Sequence, residues 1–336
     1  MTGEQKLLLE LQRQLLRLRR VDERLLALQR QGRIGFYGPS SGQEAVAAGA
    51  ALALEHRDWV FPALRESGVM LVRGYALSAY VAQLFGSALD PMKGRQMPSH
   101  MASRTVNQVS WSSSIATQLP HAVGAARAMQ LSGDRAVCLA FLGDGATSSP
   151  DFHAAMNFAG LWRAPVVFVC QNNGYAISVP AARQTAAQGF AIKARAYGFG
   201  GETVDGNDAL VVHDAVWRAV DRARAGQGPT LIECLTYRQG PHSTSDDPTR
   251  YRPAGEALRW LERDPIAVMR RRLVALGVHD EALEARWLRE VDEELDGAIA
   301  IAEAAPRPAL TTLFDDVYAE RPWHLSEQFQ DLTELH

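Results

Sequence analysis

Two apolar runs dominate the hydrophobic pattern of the chain. Residues 136–142 and 166–170 are unbroken apolar stretches with the length of buried strands. Residues 151–161 between them are amphipathic at helical spacing, so the pattern predicts strand, helix, strand with a right-handed crossover. The first run stops at Gly143-Asp144-Gly145 and the second at Asn172-Asn173. Both polar signatures then fall at carboxyl ends of parallel strands, the edge where open α/β sheets bind ligands.

The remaining pattern extends this architecture. Leu8, Leu11, Leu15, Leu18, Leu25 and Leu28 recur at helical spacing over residues 4–31 and predict an amphipathic helix ended by Gly32. That face packs on the body or on another subunit. A small-residue helix is expected over 43–54, helices over 117–130 and 209–225, a short helix over 190–197, and strands over 202–204 and 230–236. Residues 35–42, 94–111 and 237–252 read as loops. Residues 254–304 read as helical with one break at Asp264-Pro265, followed by an acidic tail that is either a short docking helix or mobile. Strands alternating with helices predict a doubly wound, mostly parallel α/β sheet. The expected division is an N-terminal helical arm (1–34), an α/β domain (35–253) and a C-terminal helical extension packed on it (254–336).

Composition changes this picture little. A net charge of −3 over 336 residues argues against nucleic-acid or polybasic membrane binding. No apolar run reaches spanning length. The three cysteines lie in or beside apolar runs, without metal-ligand spacing. With an N-terminal segment broken by acids and unlike a signal or transit peptide, they lead to the expectation of a reducing, cytoplasmic setting.

The chemistry of the sheet edge suits a magnesium diphosphate. Gly143 and Gly145 permit a tight turn and close approach of a ligand. Asp144 is a hard oxygen donor, Asn173 adds a side-chain carbonyl and Tyr175 a backbone carbonyl, a set that Mg²⁺ completes with phosphate and water. Two turns with no ligand are the alternative reading. The combination resembles the thiamine diphosphate motif, GDG followed by about thirty residues and NN. KGRQMPSH (93–100), SSSIATQLPHAVGAA (112–126), NNGYAIS (172–178), VDGND (204–208) and YRQGPHSTSDDPTRYR (237–252) are similar, in order, to the alpha subunits of the decarboxylating component of 2-oxoacid dehydrogenase complexes. HSTSDD resembles the branched-chain branch.

The resemblance implies a thiamine diphosphate enzyme that oxidatively decarboxylates a 2-oxoacid and passes the acyl group to a lipoyl arm of an acyltransferase component. It implies that Arg65, Gly143, Asp144, Gly145, Ala146 and Asn173 meet the diphosphate and its Mg²⁺. It also implies that the backbone of Ser113 and Ile115 holds the aminopyrimidine while Ile115 braces the bent cofactor, and that Ser112, Ser114, Thr117 and Gln118 form a K⁺ site. A serine-rich capped helix start explains the same four residues. His242 would serve acyl transfer, with imidazole and imidazolium both accessible near neutral pH. The plain alternative for His242 is a loop histidine bonded to Asp246 or Asp247, and for Arg65 a surface salt bridge. Leu64 replaces an expected tyrosine. The pyrimidine carboxylate belongs to a separate beta subunit in such enzymes, which implies an α2β2 heterotetramer. The interface would bury about 2,000–5,000 Å², with the N-terminal helix a candidate contributor. Pyruvate or acetoin dehydrogenase alpha subunits, and a non-catalytic binding subunit, are the competing readings.

Overall fold

In the computed structural model, which describes residues 2–335, the leucine face of the N-terminal segment closes the hydrophobic core. Helix α1 (Gly3–Arg30) starts at a Thr2 capping box. It stops where Gly32 takes φ 73°, a left-handed conformation that glycine adopts freely. Leu8, Leu11, Leu15, Leu25 and Leu28 are all buried within this chain. The leucine face therefore packs on the body of this chain and not on another subunit.

The chain continues through α2 (Glu44–Leu52), β1 (Trp59–Phe61), α3 (Ser67–Val72), α4 (Leu77–Phe85) and α5 (Gln118–Leu131). The central unit is β2 (Cys138–Gly143), α6 (Pro150–Trp162) and β3 (Val166–Asn172), the predicted strand–helix–strand within two residues at each boundary. A small hairpin follows, β4 (Tyr175–Ala176) and β5 (Val179–Pro180). Then come β6 (Gly200–Asp205), α7 (Ala209–Arg224) and β7 (Thr230–Leu235). The expected short helix over 190–197 is a 3-10 helix, Ala191–Tyr197. Sheet order is β1-β2-β3-β7-β6 and every pairing is parallel.

Alternation within the central strands shows why the sheet is doubly wound. Val137, Leu139, Phe141, Val167 and Val169 join one apolar cluster with α1, α2 and α7. Cys138, Ala140, Leu142, Val166, Phe168 and Cys170 join another with α5 and α6. Strands covered on both faces need no polar positions, hence the continuous runs in the sequence. In register, Gly143 lies opposite Gln171, so Asp144 and Asn173 leave the sheet side by side.

The C-terminal region differs from expectation. It holds three helices before Pro306, not two: α8 (Glu256–Leu261), α9 (Pro265–Ala275) and α10 (Glu281–Ala304). The extra break comes from Gly277 at φ 66° and from Asp280, whose carboxylate accepts the Leu283 N–H as an N-cap. The tail forms α11 (Trp323–Glu334), largely exposed and resting on the end of the preceding 3-10 turn, Leu310–Leu313, through the Phe314–Phe329 ring contact. No helix among the described residues is long and apolar enough to cross a membrane.

Candidate functional site

At the carboxyl edge of the sheet lies a pocket of about 470 Å³. Its floor is the β2–β3 junction. Asp144 opens a short 3-10 turn, Asp144–Ser148, held by the Thr147 hydroxyl donating to the Asp144 carbonyl at 2.9 Å. Only 1% of Asp144 is exposed. Burial pushes its carboxyl above the usual range, offset in part by the Gln184 amide, which donates to Oδ2 at 2.6 Å. Asn173 accepts the Tyr175 N–H on Oδ1 at 3.2 Å and donates through Nδ2 to Gln43 Oε1 at 3.2 Å. One lone pair of its carbonyl is left over.

The two glycines divide their work differently from expectation. Gly143 is extended, φ −87° and ψ 164°, and a Cβ there would meet nothing within 4 Å. The space it leaves is pocket, and Ala146 lines the same wall. At Gly145 a Cβ would sit 2.6 Å from the Ala176 side chain. Gly145 therefore admits the β4–β5 hairpin while also lining the pocket, and neither glycine takes positive φ.

The opposite wall is cationic. Arg65 is buried, 6% exposed, and donates to the carbonyls of Pro39 and His242. This rules out the surface salt bridge. Arg238 is 1% exposed and bonds the Tyr251 hydroxyl at 3.1 Å. Neither guanidinium is paired with a carboxylate among the described residues. Burial first, and repulsion by Arg238 second, bring Arg65 down to about 9. Two buried, mutually repelling cations beside a 470 Å³ pocket form a strong anion trap.

His242 lies between them. Its Nδ1 is 3.2 Å from Arg65 Nη2, which makes Nδ1 the acceptor and leaves the proton on Nε2. Burial, then Arg65 and Arg238, push the imidazole down to about 4. In the ligand-free chain the ring is held neutral at pH 7, so imidazolium is less accessible there than the sequence reading expects. Asp246 binds the backbone N–H of His242 at 2.6 Å and not its ring.

The third wall is the loop before α5. Ser113 Oγ meets His100 Nε2 at 2.7 Å. Ile115 and Ile177 project into the pocket with 59% and 50% of their surface exposed. Ser112 Oγ accepts from the Ser114 N–H at 3.2 Å and from Thr117 Oγ1 at 3.4 Å, so these three share one turn. Gln118 instead donates to the Phe141 carbonyl at 2.7 Å, tying α5 to β2. Leu64 also lines the pocket. The donor set fits a hard cation held largely by a diphosphate: one carboxylate, one amide carbonyl and no cluster of three or more His, Cys, Asp or Glu among the described residues.

The sequence profile described as Dehydrogenase E1 component matches residues 12–311. The chain belongs to that family. It is 45% identical over 301 residues to 2-oxoisovalerate dehydrogenase subunit alpha 2, mitochondrial, of Arabidopsis thaliana, covering 89% of this chain and 64% of that protein. It is 43% identical to the Arabidopsis subunit alpha 1 (98% and 70% covered) and 41% identical to the human 2-oxoisovalerate dehydrogenase subunit alpha, mitochondrial (97% and 73%). The chain thus spans just under two thirds of the first relative and somewhat more of the others.

Several residues of this E1 site escaped the sequence reading. Arg238 lies two residues past a predicted strand, but an arginine in a polar loop reads as solvated. Gln43 and Gln171 build a buried chain across the pocket floor, Gln43 donating to Gln171 and Gln171 to Glu66, the neighbour of Arg65 that the resemblance already places at the phosphate end of the cofactor. Gln184 reaches Asp144 from forty residues away.

Proposed function

We propose that this E1 chain is the alpha subunit of a thiamine diphosphate-dependent branched-chain 2-oxoacid dehydrogenase. Its reaction is oxidative decarboxylation of a 2-oxoacid with transfer of the acyl group to a lipoyl arm on an acyltransferase component. The observation that carries this reading is the pairing, across one pocket, of buried Asp144 beside Asn173 with the unpaired guanidiniums of Arg65 and Arg238. The relatives' names, 2-oxoisovalerate dehydrogenase subunit alpha, support the substrate class. An apolar wall of Phe36, Leu64, Ile115 and Ile177 suits an aliphatic side chain better than pyruvate or acetoin.

Bound thiamine diphosphate supplies the electron sink for loss of carbon dioxide. Asp144, Asn173 and the Tyr175 carbonyl would hold its Mg²⁺, with Gly143 leaving room for the phosphates. Arg65 and Arg238 neutralise the diphosphate. Ser113 and Ile115 orient the ring end, and Ile115 with Ile177 excludes water. His242 presents the Nε2 proton toward the reacting region. Neutralisation of Arg65 by a bound anion would lift its repulsion of the His242 ring and raise the ring's basicity, so that His242 could hold or release a proton during acyl transfer. Ser112, Ser114, Thr117 and Gln118 are the proposed K⁺ ligands.

Among the described residues two carboxylates line the pocket, Asp144 and Glu66. Glu66 accepts from the Ala63 and Arg65 N–H groups and from Gln171, and burial raises its carboxyl. Neither is available to an aminopyrimidine. The missing carboxylate is assigned to a beta subunit, in an α2β2 assembly. A reducing compartment fits the three unpaired, buried cysteines.

The test is a panel of 2-oxoacids assayed for decarboxylation by this chain reconstituted with its beta partner. Preference for branched substrates supports the proposal, and preference for pyruvate refutes the substrate assignment.

A further inference from the structure

We propose that Gln184 is the positioning residue for the metal-binding carboxylate of Asp144. The inference rests on the reading of Asp144 as a metal ligand. Gln184 follows the 3-10 turn Ala181–Arg183, beyond the β4–β5 hairpin. Its amide donates both hydrogens: to Asp144 Oδ2 at 2.6 Å and to the Val179 carbonyl at 3.0 Å. Both partners are acceptors only, so the amide has one permitted orientation; a flip would set oxygen against oxygen twice. Its own Oε1 is buried without a partner. A buried orphan carbonyl is unfavourable, and this chain keeps one to hold an N–H on Asp144.

The consequence is geometric. With Oδ2 engaged, Asp144 offers Oδ1 to a cation, from a fixed direction. The Val179 bond also ties β5, and through it the strand carrying Tyr175, to the same carboxylate. One amide thereby sets the relation between two proposed metal donors. The match is to Mg²⁺, which demands near-ideal octahedral geometry, whereas Ca²⁺ accepts bidentate carboxylates and irregular shells. Partners of this kind tune metal affinity by about 10–100-fold.

The experiment uses the full chain with its beta partner and thiamine diphosphate. Bound and free Mn²⁺ are measured by electron paramagnetic resonance, with Mg²⁺ and Ca²⁺ as competitors. Gln184→Leu removes both donors with little change in size. The expected result is Mg²⁺ binding weakened about 10–100-fold, with a much smaller loss for Ca²⁺, because the released carboxylate can chelate through both oxygens. Unfolding of the cofactor-free chain moves in either case, because the buried Asp144 carboxylate loses a donor, so the positioning role is read from the difference between Mg²⁺ and Ca²⁺. Unaltered Mg²⁺ affinity, or equal losses for both cations, overturns the inference. If Gln184→Leu does not fold, Gln184→Met keeps the unbranched stem and makes the same comparison. Asp144→Ala separates the two levels. Metal binding that survives it removes the site reading itself, whereas its loss with no effect at Gln184 removes only the positioning role.

Discussion

Gly143→Ala and Gly145→Ala are the same chemical change two residues apart, and the structure assigns them opposite consequences. At Gly143 the backbone is extended, a conformation that alanine adopts readily, and the new methyl meets nothing within 4 Å. Restricting the unfolded chain should then stabilise the cofactor-free protein by about 0.4–1 kcal/mol. The same methyl occupies the space proposed for the phosphates, so thiamine diphosphate binding should weaken. At Gly145 the methyl would lie 2.6 Å from the Ala176 side chain, and the hairpin must move. Overpacking of this kind costs about 1–3 kcal/mol. Urea unfolding of each variant without cofactor gives the stability difference, and cofactor titration followed by near-ultraviolet dichroism gives the affinity. Undiminished affinity in Gly143→Ala would show that the open space beside Gly143 is not where the diphosphate lies. A stable Gly145→Ala would contradict the packing of β4 on the Asp144 turn.

Three further outcomes are expected. Arg65→Met removes the nearest positive charge from His242, so the imidazole should titrate above its present value of about 4; an NMR pH titration of the ring that finds no rise would contradict the assigned cause. Because His242 binds its proton less tightly folded than unfolded, it should destabilise the ligand-free chain progressively as pH falls from about 6.5 toward about 4; a His242→Gln variant that unfolds with the same pH dependence over that window would contradict this. Leu64→Tyr should tighten the cofactor by roughly 0.5–1.5 kcal/mol, one added hydrogen bond, and weaker binding by calorimetry would mean that the pocket is built around leucine.

What the sequence made legible depended on whether the physics was local. The GDG and NN signatures could be placed together because two continuous apolar runs joined by a short helix leave little choice but adjacent parallel strands. Trp59–Phe61 was missed because three residues carry no period, and it becomes a strand through its pairing with β2 and a bridge from Val60 to Gln108. Helix α4 was within reach: Leu77, Tyr80, Val81 and Leu84 follow helical spacing and Gly86 closes it in the left-handed conformation. The site divides in the same way. Arg65 and Asp144 were legible from motifs. The depressed basicity of His242 was not, since it arises first from burial that only the folded loop creates, and then from Arg65 and Arg238, one far away in the chain and the other hidden by apparent solvation. Gln184 became visible only when the hairpin folded back over the turn.

The most direct test of the account is calorimetric titration of thiamine diphosphate into this chain with its beta partner, with and without Mg²⁺, in the natural sequence and in Asp144→Ala. The account predicts binding that requires Mg²⁺ and disappears in the variant while the fold persists by circular dichroism. Binding of equal strength without Mg²⁺, or undiminished binding in Asp144→Ala, would contradict it.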